Sequence, residues 1–133
     1  MTNISPDFAI RCARWSLFLV YAWFGGLKLF GLSPANPLIA ALLERTLPFI
    51  TFENFMIGFG LYEILIGILF LMPKYQRLLM VLFGLHMVMA AGPLVLLPEI
   101  SWQGWFVPSL EGQYMIKNII IIALALCIWT RHD

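Results

Sequence analysis

Phe55-Met56-Ile57-Gly58-Phe59-Gly60-Leu61-Tyr62-Glu63-Ile64-Leu65-Ile66-Gly67-Ile68-Leu69-Phe70-Leu71-Met72 decides the fold. This stretch carries one charged side chain, Glu63. A helix of this length spans about 27 Å, close to the ~30 Å hydrocarbon thickness of a bilayer. Hydrocarbon offers no partner for an open backbone, so an apolar run of this length must be helical. Met56, Gly60, Glu63 and Gly67 fall on one face at helical spacing. Small residues let a neighbouring helix approach, and Gly58, Gly60 and Gly67 supply them. Glu63 therefore points at another helix. It lies roughly 15 Å along the axis from Glu53, near a membrane midplane.

Three further apolar segments flank this one. The expected spans are 15–30, 55–72, 78–97 and 114–130. Hydrophobic residues make up 62% of the 133-residue chain and charged ones 11%, with mean hydropathy +0.90. A soluble domain is nearer 45–50% apolar and about 25% charged. The expectation is an all-α integral membrane protein, a four-helix bundle forming one domain over residues 1–133. The apolar run after Arg11 and Arg14 continues into Lys28-Leu29-Phe30 without a small-residue cleavage site, so it reads as a span and not as a signal peptide. A net charge of +1 with no basic run excludes nucleic acid as a partner class. The lipid bilayer is the partner that composition implies.

Basic residues set the orientation. Arg11, Arg14, Lys74, Arg77 and Arg131 lie at one set of span ends, and Arg45 alone at the other. The positive-inside rule then places both termini in the cytoplasm. Cys12 and Cys127 fall at cytoplasmic ends, where thiols stay reduced. In the first outer connection, Asn36-Pro37 reads as an N-cap and first helical residue, and residues 38–46 as a short interfacial helix. The second outer connection carries Trp102, Trp105 and Phe106, which read as an aromatic belt. Gly92-Pro93 predicts a kink in the outer third of the third span.

Of fifteen Lys, Arg, Asp and Glu residues, Lys28, Glu63 and Lys117 lie inside spans, and His86 joins them. A charge in hydrocarbon costs roughly 2.5–3.5 kcal/mol on insertion scales, so each needs a partner, water or a function. Lys28 shares a face with Tyr21, Phe24 and Gly25; it either snorkels outward or reaches inward to Glu63. Lys117 shares a face with Gln113, Tyr114, Ile121 and Leu124, and Asn118 adjoins it. His86 matches Glu63 in depth. One glutamate does not balance two lysines; Glu53, Glu111 or an anionic or quinone-like ligand could make up the difference. Interhelical ion pairing and a ligand or proton site both account for the set. His86 and Glu63 are too sparse for a metal, and His132 lies at the far end. Cys-x-x-Cys, phosphate-loop, dinucleotide and Ser-His-Asp patterns do not occur.

The runs Phe24-Gly25-Gly26-Leu27-Lys28-Leu29, Gly60-Leu61-Tyr62-Glu63-Ile64-Leu65-Ile66-Gly67 and Glu111-Gly112-Gln113-Tyr114-Met115-Ile116-Lys117-Asn118 occur in this order. Their order and spacing resemble the DoxX-like family of small four-span bacterial membrane proteins. The third run is also similar to the related reactive-chlorine-resistance membrane protein group. The resemblance implies a bacterial cytoplasmic membrane location. It also implies a redox or stress-defence context, since some members are subunits of a thiosulfate:quinone oxidoreductase and others associate with redox-defence proteins. No residue here carries an electron by itself, so catalysis by this chain alone is left open.

The first functional expectation is a membrane subunit with a site for a quinone-like or small anionic ligand. Lys28, Glu63, His86 and Lys117 line it, with Tyr62, Tyr114 and Asn118 beside them. In that site the lysines stabilise negative charge on an oxygen, and Glu63 or His86 moves protons. The cofactor stays unidentified, with a quinone the one in view. The second is a non-enzymatic assembly or scaffold protein, acting as a homo-oligomer or with a redox protein. The third is a small transporter or proton path.

Overall fold

The structure, a computed structural model, describes residues 3–131; His132 lies outside them. The chain is mostly helical. Among the described residues, three stretches are long and apolar enough to cross a membrane: Phe52–Phe70, Pro73–Leu96 and Leu110–Thr130. They correspond to the second, third and fourth expected spans. The first expected span lies in the longest helix, α1 (Pro6–Leu29, 24 residues). Its hydropathy is diluted by Arg11, Arg14 and Lys28.

Local signals explain most helix ends. α1 begins well before residue 15 because Ser5 accepts the Phe8 amide and Pro6 occupies the first turn. It ends where Leu32 N–H donates to Leu27 O at 2.9 Å and Gly31 N–H to Lys28 O at 3.3 Å. That bond pair needs a left-handed residue, and Gly31 has φ +70°. α2 (Asn36–Thr46) is the expected short helix in the first connection. Asn36 does not cap it, however. Ala35 is the cap residue, and the Asn36 side chain instead donates to Gly31 O at 3.2 Å. α3 (Phe52–Phe70) is capped by Thr51.

A 3-10 turn (Pro73–Tyr75) leads into α4 (Gln76–Leu96), which runs through Pro93 for three more residues. Pro93 O then accepts Leu97 N–H and the Ser101 hydroxyl, anchoring the short helix α5 (Pro98–Ser101). Next comes a small hairpin, β1 (Trp102–Gly104) and β2 (Val107–Pro108), which the sequence did not suggest. Trp105 and Phe106 project from its tip. The last apolar stretch is divided at Lys117 into α6 (Leu110–Ile116) and α7 (Asn118–Thr130).

α1 and α3 make the most extensive helix pair; α4 touches α3 and α7, and α7 returns to α1. Leu17, Tyr21, Ile66, Phe70, Leu79, Phe83 and Ile128 fill the space between them. The polarity is reversed relative to a water-soluble fold. Leu61, Leu65, Val81, Val88, Ile119 and Ile120 are exposed, whereas Lys28, Glu63 and His86 are buried. Helices apolar on their outer faces belong in hydrocarbon.

Packing of α1 on α3 fixes the site. A Cβ on Gly25 would lie 2.7 Å from Gly60 O, and one on Gly67 3.1 Å from the Tyr21 Cβ. Gly58 departs from the sequence expectation: it is exposed, with nothing near its Cβ position. Arg14 donates from Nη1 to Phe70 O at 2.9 Å, satisfying a carbonyl at the end of α3. The sequence assigned Arg14 only an orienting charge.

Candidate functional site

The Gly25–Gly60 contact brings the next turn of each helix side by side. Lys28, three residues beyond Gly25, then meets Glu63, three residues beyond Gly60. Lys28 Nζ lies 2.6 Å from Glu63 Oε1, with both side chains under a tenth exposed. The two groups form a close, buried ion pair. Lys28 thus reaches inward and does not snorkel. Its ammonium also stands 5.4 Å from the Phe59 ring centroid, a cation–π distance.

α4 supplies the third member. His86 Nε2 is 2.8 Å from Glu63 Oε2, and His86 Nδ1 is 3.0 Å from the Tyr21 hydroxyl. A carboxylate only accepts, so Nε2 carries the proton; a neutral ring then leaves Nδ1 to accept from Tyr21. Phe59 and Tyr62 stack on the imidazole at 5.6 and 6.2 Å, and Tyr21 meets it edge-on at 5.1 Å. Three aromatic rings and two polar partners position the imidazole. Lys28, Glu63, His86 and Tyr21 form one continuous polar chain across α1, α3 and α4.

A cavity of about 660 Å³ opens on this chain. That volume suits a small-molecule site, for which ~300–1,000 Å³ is usual. Its walls are apolar: Phe24, Phe55, Met87 and Pro93 contribute, with Leu38 and Leu42 of α2 forming a cover. Arg45 fastens that cover, donating to Leu96 O at 2.8 Å and to Glu99 Oε1 at 3.0 Å.

The other expected site residues occupy different places. Lys117, Tyr114 and Asn118 line the cavity, but Lys117 and Tyr114 are exposed. Lys117 has no ion-pair partner among the described residues. Tyr62 donates its hydroxyl to Leu82 O, tying α3 to α4, and does not line the cavity. Glu53 and Glu111 are exposed and pair with neither lysine. No group of three or more His, Cys, Asp or Glu suited to a metal occurs among the described residues.

Two members of the site escaped the sequence reading. Tyr21 appeared only as a face-mate of Lys28, seven residues and two turns away; that spacing was its one signal. Phe59 gave none, because an aromatic in an apolar span is unremarkable until a histidine is placed against it. The chain matches no family model, no curated protein and no solved structure.

Proposed function

We propose that this is a four-span membrane protein that holds a small amphiphilic ligand in the cavity ending at Lys28, Glu63 and His86. The three apolar helices support the membrane assignment, and α1, which packs along α3 and carries Lys28 into the interior, is the fourth span. Both termini face the cytoplasm of a bacterial cell in this reading, with α2 and the hairpin outside. The resemblance to DoxX-like proteins suggests a membrane subunit in a redox or stress-defence system. The ligand is quinone-like or a small anion, and a redox partner supplies or takes electrons.

One observation carries this reading: an apolar cavity of about 660 Å³ whose inner end is a buried, hydrogen-bonded set of ionisable groups. A purely structural ion pair does not need a cavity beside it. The test is a thermostability screen of the full chain in detergent, with quinones and sulfur oxyanions. At least one should raise the melting temperature by several degrees, and alanine at Lys28 and Glu63 should abolish the shift. A flat screen sinks the proposal.

The scaffold reading keeps one specific support. The Gly25–Gly60 contact and the Lys28–Glu63 pair lock the same helices together. It requires that Glu63→Gln destabilise the protein while no ligand stabilises the wild type.

A further inference from the structure

We infer that the inner end of the cavity selects a neutral head group bearing a hydroxyl or carbonyl oxygen, and rejects anions. This rests on the ligand-site reading above and narrows it.

The groups facing that end balance one another in charge. Lys28 is offset by Glu63 at 2.6 Å. A neutral His86 donates from Nε2 to Glu63 and accepts at Nδ1 from Tyr21, which satisfies both ring nitrogens. With that neutral ring, Lys28, Glu63, His86 and Tyr21 sum to zero charge. An anion arriving there brings a charge that no further buried cation among the described residues faces, into walls built of Phe24, Phe55, Met87 and Pro93. An uncompensated charge in such surroundings is strongly disfavoured. Lys117 is the remaining cation lining the cavity, and it is exposed. Solvent screens an ion pair formed there.

The hydrogen-bond inventory sets the head-group chemistry. The Tyr21 O–H and the His86 Nε2–H are already committed as donors. An ammonium has three protons, and Glu63 occupies one side of Lys28, so Lys28 is the donor left for a ligand. Lone pairs on the Tyr21 and Glu63 oxygens are the acceptors. A carbonyl oxygen on Lys28, or a hydroxyl between Lys28 and Tyr21, satisfies these groups without adding charge. The apolar remainder of the cavity takes a hydrocarbon tail.

The test uses the full chain in dodecyl maltoside near neutral pH, with chain-matched probes. These are para-decylphenol and decyl-benzoquinone as neutral heads, decanoate as the anionic head, and thiosulfate as an anion without a tail. Wild type should bind a neutral probe at least about tenfold more tightly than decanoate. Glu63→Gln leaves Lys28 unbalanced and should reverse the preference toward decanoate. If that variant does not fold, the double variant Lys28→Gln with Glu63→Gln, neutral again, should retain the preference for the phenol. Wild type that binds decanoate or thiosulfate as tightly as the neutral probes overturns this inference and leaves the ligand site standing. Binding of no probe at all overturns the ligand site, and this inference with it.

Discussion

The backbones of Gly25 and Gly60 meet so closely that a Cβ on either residue would lie 2.7 Å from the other's carbonyl oxygen. Neither oxygen can swing away as a flexible side chain would. The Lys28–Glu63 pair depends on this approach, because it sets the height at which the two side chains face each other.

Alanine at Gly25 or Gly60 should therefore force α1 and α3 apart. The expected loss is about 1–3 kcal/mol, as for overpacking, read as a lower melting temperature with helical circular dichroism retained. Gly84, also helical, has open space at its Cβ position. Gly84→Ala should be neutral or stabilising by up to about 1 kcal/mol. Equal effects at Gly60 and Gly84 would remove the close contact from the account.

Breaking the Lys28–Glu63 pair from one side strands a buried charge. Lys28→Met or Glu63→Leu alone should cost about 3–5 kcal/mol, and the double variant should recover much of that loss. Thermal melts of the two singles and the double measure it. Additive losses would mean the two side chains do not meet.

His86 joins α4 to Tyr21 and Glu63, so its loss removes the partner of the Tyr21 hydroxyl and of Glu63 Oε2. His86→Leu should cost more than Tyr21→Phe, which removes one hydrogen bond worth about 0.5–1.5 kcal/mol. The two changes should be non-additive by about 0.5 kcal/mol or more. A coupling near zero in the double-mutant cycle argues against the chain from Tyr21 through His86 to Glu63.

Arg14 and Arg45 both donate to carbonyls at α-helix C-termini, but their surroundings differ. Arg14 is 9% exposed, and Arg45 is half exposed. Arg14→Met should destabilise by about 1–3 kcal/mol because Phe70 O loses its donor. Arg45→Ala should change stability by no more than about 1 kcal/mol. The reverse order would contradict the burial seen here.

Orientation is testable with the two native thiols. Cys12 and Cys127 are free and exposed. In intact cells a membrane-impermeant maleimide should leave both unlabelled, and should label a Trp105→Cys variant at the hairpin tip. Labelling of Cys12 from outside would invert the proposed topology.

Much of this was legible in the residues. Runs of apolar residues long enough to cross hydrocarbon, and a glycine face beside Glu63, follow from composition and a fixed 3.6-residue period. So does a short helix after Pro37. Each depends on neighbours along the chain, and local rules suffice. Ser5 and Thr51 as caps, and Gly31 as the left-handed stop of α1, belong to the same kind of signal and lie equally open in the sequence.

What the tertiary structure alone decided is which groups share a height. Helical periodicity assigns a residue to a face, but the offset and rotation of one helix against another are set by packing. The Gly25–Gly60 contact fixes that offset and turns Lys28 inward. Lys117, near the outer end of its apolar segment as Lys28 is, lines the cavity but stays exposed. His86 showed no patterned face in the sequence, yet it joins Glu63 to Tyr21. Four ionisable residues in apolar spans were evident from the chain; that three of them and a tyrosine join in one buried chain was decided by where the backbones can touch.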